Sequence, residues 1–145
     1  MTTGMTGVDG ALMRAAPRLR AVASLGVGFD STDVVTAREL GVAVSTTPDV
    51  LTDCVADLGA GMVIDIVRGI SAADRFVRRG KWAQSAMPLA HDMRGRRVGI
   101  VGLGRIGRAV AQRLVAFSVE VAYHNRHEVP GAGHGTAGER LRQVS

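Results

Sequence analysis

The stretch "RRVGIVGLGRIGRAVAQRL", residues 96–114, restricts the possible folds of this chain more than any other. Val98, Ile100 and Val101 form a β-rich apolar run, which predicts a strand buried on both faces. Gly102, Gly104 and Gly107 follow in G-x-G-x-x-G spacing, and Ala109, Val110, Ala111 and Leu114 then read as a helix. In that arrangement the first glycine makes a tight turn and the second admits backbone close to a pyrophosphate. The third lets helix and strand pack closely, while the helix N-terminus stabilises phosphate charge. A second strand over Val119–Tyr123 completes the start of a βαβ unit. The candidate cofactor-binding residues of the loop are therefore Gly102, Leu103, Gly104, Arg105, Ile106 and Gly107. A glycine fingerprint alone is weak evidence in a chain with 19 glycines, but the flanking strand and helix are the context that gives it meaning.

Composition excludes several classes. The 145 residues, 46% hydrophobic and 21% charged, suit about one globular domain. Cys54 is the only cysteine, so an intrachain disulfide is impossible and a reducing, cytoplasmic setting is expected. The first ten residues lack the basic and apolar regions of a signal peptide. The apolar stretch 54–70 is broken by Asp57, Asp65 and Arg68, which argues against a membrane span. The net charge of +5 comes from scattered arginines and one lysine, Lys81. There is little aromatic interleaving and no nucleic-acid motif, so no nucleic-acid partner is expected. No metal-ligand spacing occurs.

Along the chain, residues 11–16 suggest a short helix, Leu19–Ser24 a strand, 33–40 a helix ending at Gly41, and Val42–Thr46 a strand. This order predicts a parallel α/β unit. A long helix over residues 52–70 has Thr52 or Asp53 as its cap, with Val55, Leu58, Met62 and Ile66 at helical spacing. Gly59 and Gly61 inside it cost about 1 kcal/mol each relative to alanine, which close approach of another helix would compensate. Asp30, Asp53 and Asp57 are read as turn and cap residues, and Cys54 as a small packed one. A second helix covers residues 71–79. Only two strands of the dinucleotide sheet are legible, and "HEVPGAGHGTAGERLRQVS", from His127 on, reads as a loop or disordered tail.

Four segments in order, "GVGFDSTDV", "TARELGVAVSTTPDVLTDCVADL", "ADRFVRRGKW" and "GRRVGIVGLGRIGRAVAQRLVAF", resemble the D-isomer-specific 2-hydroxyacid dehydrogenases. The resemblance runs from about residue 17 to residue 126 and is closest to the glyoxylate/hydroxypyruvate reductase branch. It implies an α/β chain with a partial flavodoxin-like substrate domain over residues 1–51. Linking helices and the start of a Rossmann NAD(P)-binding domain follow over 52–127, and a tail over 128–145. It further implies reduction of a small 2-keto acid by a nicotinamide dinucleotide. The substrate carboxylate would be held by the backbone amides of Val27 and Gly28, a glycine-rich turn being suited to an anion. The helix over 52–70 would contribute to a homodimer in an intact member.

The family's catalytic arginine, glutamate and histidine motifs lie downstream of its fingerprint and have no match here. The chain is therefore expected to be truncated at both ends and to lack competent catalysis, with no catalytic residue assigned. His91, His124, His127 and His134 are not placed where a proton donor must reach the substrate oxygen. Two alternatives stand beside this reading: a dinucleotide-binding module without chemistry, and a non-catalytic partner that dimerises through residues 52–79.

The choice of dinucleotide rests on the end of the second strand. NAD-binding folds carry an acid about 20 residues past the glycines, where it accepts hydrogen bonds from the adenosine ribose. Asn125 stands 18 residues after Gly107, with Arg126 directly behind it. A carboxylate there would repel a 2′-phosphate; asparagine removes that charge, and arginine grips phosphate with a planar fork. NADP(H) is thus expected over NAD(H).

Overall fold

The structure is a computed structural model and describes residues 1–127, Val129 and Leu141–Gln143. The chain divides into two compact units, Met1–Leu51 and Thr52–Ser145. In the first, β1 (Thr2–Thr3), α1 (Gly10–Ala15), β2 (Ala21–Leu25), α2 (Val34–Glu39) and β3 (Ala43–Ser45) alternate. The sheet is parallel in the order β1-β2-β3, with Val22 opposite Val44. Met13, Val22, Ala37 and Val42 form its core. Asp9 caps α1 by accepting the Leu12 amide at 2.7 Å. Asp33 caps α2 through the Thr36 amide at 2.9 Å and hydroxyl at 2.7 Å, and these bonds hold its carboxyl below the ordinary range.

The second unit runs α3 (Thr52–Arg68), α4 (Ile70–Arg78), a 3₁₀ turn (Lys81–Ala83), β4 (Arg97–Val101), α5 (Arg105–Val115), β5 (Glu120–His124) and β6 (Leu141–Gln143). Its sheet is parallel in the order β4-β5-β6, pairing Val98 with Val121 and Val121 with Leu141. The core gathers Ala60, Leu103, Ala111, Leu114, Val119, Val121 and Tyr123, with Val63, Ile64, Val67, Val98 and Ile100 packed against it. Together the two units are the parallel α/β class expected, and the second is Rossmann-like.

Several expectations need correction. The β4 strand is buried on one face only: Val98 and Ile100 are half-buried, while Val101 is 89% exposed. The core cluster joins α3 and α5 to the face carrying Val98 and Ile100; Arg97, Gly99 and Val101 on the other face are exposed. Among the described residues the dinucleotide sheet has three strands rather than two, because Leu141–Gln143, expected within an irregular tail, pairs with β5. A three-residue strand is set by the free edge it joins, not by its own composition. The rest of the expected tail, His134 included, lies outside the described residues, His127 and Val129 apart.

The long helix also presents a different face from the one its spacing suggested. Ala56 (0% exposed) and Ala60 are buried, and Val63, Ile64 and Val67 reach the core. Val55, Leu58, Met62 and Ile66 point outward, so the helix has a second, exposed apolar stripe besides the one in the core. Gly59 does permit close approach, since a β-carbon there would stand 3.3 Å from Val110 Cγ2 on α5. Nothing in the structure explains Gly61, whose β-carbon would meet open space. Asp53 and Asp57 bind Arg113 of α5, at 3.0 Å to Nη2 and 2.5 Å to Nε, rather than capping or turning the chain. Cys54 is exposed, not packed.

The bend between α3 and α4 falls at Gly69, whose φ of 63° favours a residue without a β-carbon. Asp65 secures it by accepting the Ser71 hydroxyl at 2.5 Å and the Ser71 amide at 2.6 Å. Both bonds favour the carboxylate and lower its pKa from the ordinary 3.8. A depressed folded pKa stabilises the fold above the unfolded value and loses that effect as pH falls through the folded one. Asp65→Ala is therefore expected to lower the melting temperature at neutral pH and to have little effect at about pH 2. An equal loss at both values, measured by circular dichroism, would refute the assignment.

Candidate dinucleotide site

Beyond Val101 the chain turns at Gly102, where φ is +97°, a value L side chains rarely adopt. Leu103 drives its side chain into the core and is 2% exposed. Gly104 is the N-cap of α5, in extended conformation and with no side-chain cap. A β-carbon on Gly104 would enter open space, whereas one on Gly107 would stand 2.2 Å from the Gly102 carbonyl oxygen. The two glycines thus have different tasks. Gly107 lets the first turn of α5 lie against the β4 turn, and Gly104 keeps the outer side of the loop bare.

The loop is tied to the end of β5 from below. The Gly102 amide donates to the His124 carbonyl at 2.9 Å, and the Leu103 amide donates to Asn125 Oδ1 at 2.6 Å. Above these contacts lies an open cleft of about 550 Å³ lined by Val101, Gly102, Gly104, His124, Asn125, Arg126 and His127. It sits outside the carboxyl ends of β4 and β5, where ligands bind in open parallel sheets. Among the described residues its lining has one arginine, two histidines and no carboxylate. A bare glycine turn, the start of a helix and a cationic side chain in the wall fit a phosphate-bearing ligand.

Of the residues singled out in the sequence, Gly102, Gly104, Asn125 and Arg126 meet in this cleft. Leu103 contributes its amide to the loop and its side chain to the core. Arg105 and Ile106 form the first turn of α5, with Ile106 partly exposed beside the cleft-lining Gly104. His127 and Val101 were not singled out for this cleft. The pairing of Val101 with His124 at the strand ends brings them to it, and no spacing rule in the sequence encodes that register.

In the first unit, the turn after β2 opens at Gly26, with φ of +119°. Thr47 fixes it from the β3 side: its hydroxyl accepts the Gly26 amide at 2.9 Å and its amide donates to the Gly26 carbonyl at 2.8 Å. Ser31 closes the far side by donating to the Gly4 carbonyl. Gly4 has no room for a β-carbon, which would stand 2.8 Å from the Gly28 carbonyl oxygen. Val27 and Gly28 are exposed on this turn, and among the described residues neither amide donates a hydrogen bond. The backbone of His91 meets α3, its carbonyl accepting Arg68 Nη1 at 3.0 Å.

Fold and cleft together define a Rossmann-like dinucleotide-binding unit. Residues 60–144 match the family described as D-isomer specific 2-hydroxyacid dehydrogenase, NAD binding domain, and the chain belongs to that family. It is similar to hydroxyphenylpyruvate reductase of Plectranthus scutellarioides, 44% identical over 128 residues that make up 88% of this chain and 41% of that protein. Among solved structures it resembles 2-hydroxyacid dehydrogenase from Ketogulonicigenium vulgare Y25, with a TM-score of 0.86 and 39% identity over 99% of this chain and 43% of that one. It also resembles the NADPH-dependent glyoxylate/hydroxypyruvate reductase of Sinorhizobium meliloti in complex with NADP and malonate. There the TM-score is 0.77 at 42% identity, covering 95% of this chain and 43% of that one. The chain thus spans about two fifths of the length of the relatives it matches. No helix among the described residues is long and apolar enough to cross a membrane.

The two glycines allow a direct test. Gly107→Ala is expected to destabilise the unit by about 1–3 kcal/mol through overpacking. Gly104→Ala is expected to leave the melting temperature within a degree or two while weakening dinucleotide binding about tenfold or more. Titration with NADPH and NADH alongside thermal melts checks both. Undiminished binding by Gly104→Ala would refute the role of the bare turn.

Proposed function

We propose that this chain carries the dinucleotide cleft and the carboxylate-binding turn of an NADP(H)-preferring reductase of small 2-keto acids, such as glyoxylate or hydroxypyruvate. When bound, the nicotinamide supplies a hydride to the keto carbon. The amides and glycines of residues 102–107 receive the pyrophosphate, and the start of α5 stabilises its charge. Asn125 and Arg126 receive the adenosine ribose and its 2′-phosphate. The Val27 and Gly28 amides, unengaged on a turn pinned by Thr47 and Ser31, receive the substrate carboxylate. No side chain of this chain is assigned as the proton donor. A cytoplasmic setting accords with a single exposed cysteine.

The observation that carries the cofactor preference is the cleft lining: asparagine where an NAD-binding fold has an acid, arginine beside it, and no carboxylate among the described residues. Arg126→Ala, and separately Asn125→Asp, are expected to lower the NADPH-to-NADH affinity ratio about tenfold or more. A change of less than about threefold, under 1 kcal/mol, would refute Arg126 as the phosphate-binding residue.

The outward stripe of α3 supports a second element of the reading, a homodimer formed by two copies of that helix. Leu58 is 66% exposed and Ile66 78%, in line with Val55 and Met62, an apolar face that water disfavours. Leu58→Asp with Ile66→Asp is expected to shift the protein from dimer to monomer in sedimentation velocity. An unchanged sedimentation coefficient, or a monomeric wild type, would refute it.

A further inference from the structure

The Asn125 side chain has an inward task as well as an outward one. A backbone amide can only donate, so the atom that meets the Leu103 N–H at 2.6 Å is the carbonyl oxygen of the side-chain amide. That contact orients the group and leaves its NH₂ as the part available to a ligand. The neighbouring Gly102 amide is held by the His124 carbonyl at 2.9 Å. Two consecutive loop amides are therefore anchored to the end of β5, one by backbone and the other by a side chain. The side chain of Leu103 is fixed in the core, so its amide has little freedom to seek another acceptor.

We propose that Asn125 is a positioning residue: its Oδ1 holds the Gly102–Gly104 turn in shape before a dinucleotide arrives, and its NH₂ faces the adenosine ribose. This rests on the reading of the cleft as a dinucleotide site. The side chain then has two separable effects. The tether acts on the loop, and so on the affinity for any dinucleotide whose pyrophosphate sits there. The free NH₂ acts at the ribose, where with Arg126 it offers donors only and favours a 2′-phosphate acceptor over a hydroxyl. Aspartate keeps one oxygen for the Leu103 amide and presents the other, charged, to the ribose. Alanine removes both.

The test uses the 145-residue chain with amide hydrogen exchange by NMR in the absence of cofactor, and fluorescence titration with NADPH and NADH. Asn125→Ala is expected to speed exchange of the Leu103 amide at least about tenfold and to weaken both cofactors about tenfold. The Glu120 amide, which donates to the Arg96 carbonyl at 2.7 Å, should remain protected and so report an intact sheet. Asn125→Asp is expected to keep the Leu103 amide protected while the cofactor ratio moves towards NADH. An unchanged Leu103 rate in Asn125→Ala overturns the tether, as does an affinity loss confined to NADPH. If alanine also exposes Glu120, the aspartate variant decides: a folded Asn125→Asp protein with an unprotected Leu103 amide overturns the proposal. A wild-type cofactor ratio near unity, with a Leu103 amide that the alanine change exposes, would refute the NADP(H) preference and still support the tether.

Discussion

The second unit is organised around one backbone approach. Gly107 passes the Gly102 carbonyl so closely that a β-carbon would stand 2.2 Å from it, and this brings the first turn of α5 against the end of β4. With α5 so seated, Ala111 and Leu114 reach the sheet and Val110 meets the Gly59 gap in α3. The same approach puts the start of α5 beside the cleft. A larger residue at this position would lift the helix off the sheet, opening voids under Leu114 and carrying the loop amides away from the cleft. Packing and the shape of the cleft therefore depend on the same absent methyl group.

The loop has a second support in the register of β4 against β5. Because Val101 lies opposite His124, the residues after each strand come level, and Gly102 and Leu103 find acceptors on His124 and Asn125. A shift of one residue would reverse the faces of β5 and send Val121 and Tyr123 out of the core. The hydrophobic pattern that fixes register for stability thus also fixes which residues after β5 line the cleft beside the glycine loop.

The glycine loop was legible in the sequence because its demands are steric and local: three residues that cannot carry a side chain, at a spacing set by one turn and one helix start. The alternation of strands and helices was legible for a similar reason, with Gly41 and the run Val98–Val101 marking ends and cores within short windows. Other features depended on partners. The two-residue β1 and the three-residue β6 exist because an edge awaits them. The apolar spacing of Val55, Leu58, Met62 and Ile66 was real, but α3 has a second apolar face built on Ala56 and Ala60, whose small size allows close packing and attracts little notice. Asp53 and Asp57 looked like local cap and turn residues, since their partner Arg113 is more than fifty residues away. For Val27 and Gly28 the sequence named the turn, while the contacts that pin it, through Thr47, Ser31 and Gly4, are tertiary.

Charge also has to be apportioned between the whole chain and the cleft. A net charge of +5 attracts any dinucleotide, and NADPH more than NADH by virtue of its extra phosphate. That long-range attraction is screened over about 8 Å at physiological ionic strength, and scattered exposed arginines can follow a ligand without holding it. It therefore raises encounter rates more than it sets selectivity. Selectivity needs a cation at contact distance from the one group that differs between the two cofactors, in a setting where no carboxylate competes for it. The proposed preference rests on Arg126 meeting that demand: it lines the cleft with no carboxylate among the described residues there, and the Asn125 oxygen that Leu103 requires is uncharged. An acid at that position would satisfy the loop equally well and repel the phosphate. Asparagine satisfies the loop without adding a negative charge to the cleft wall.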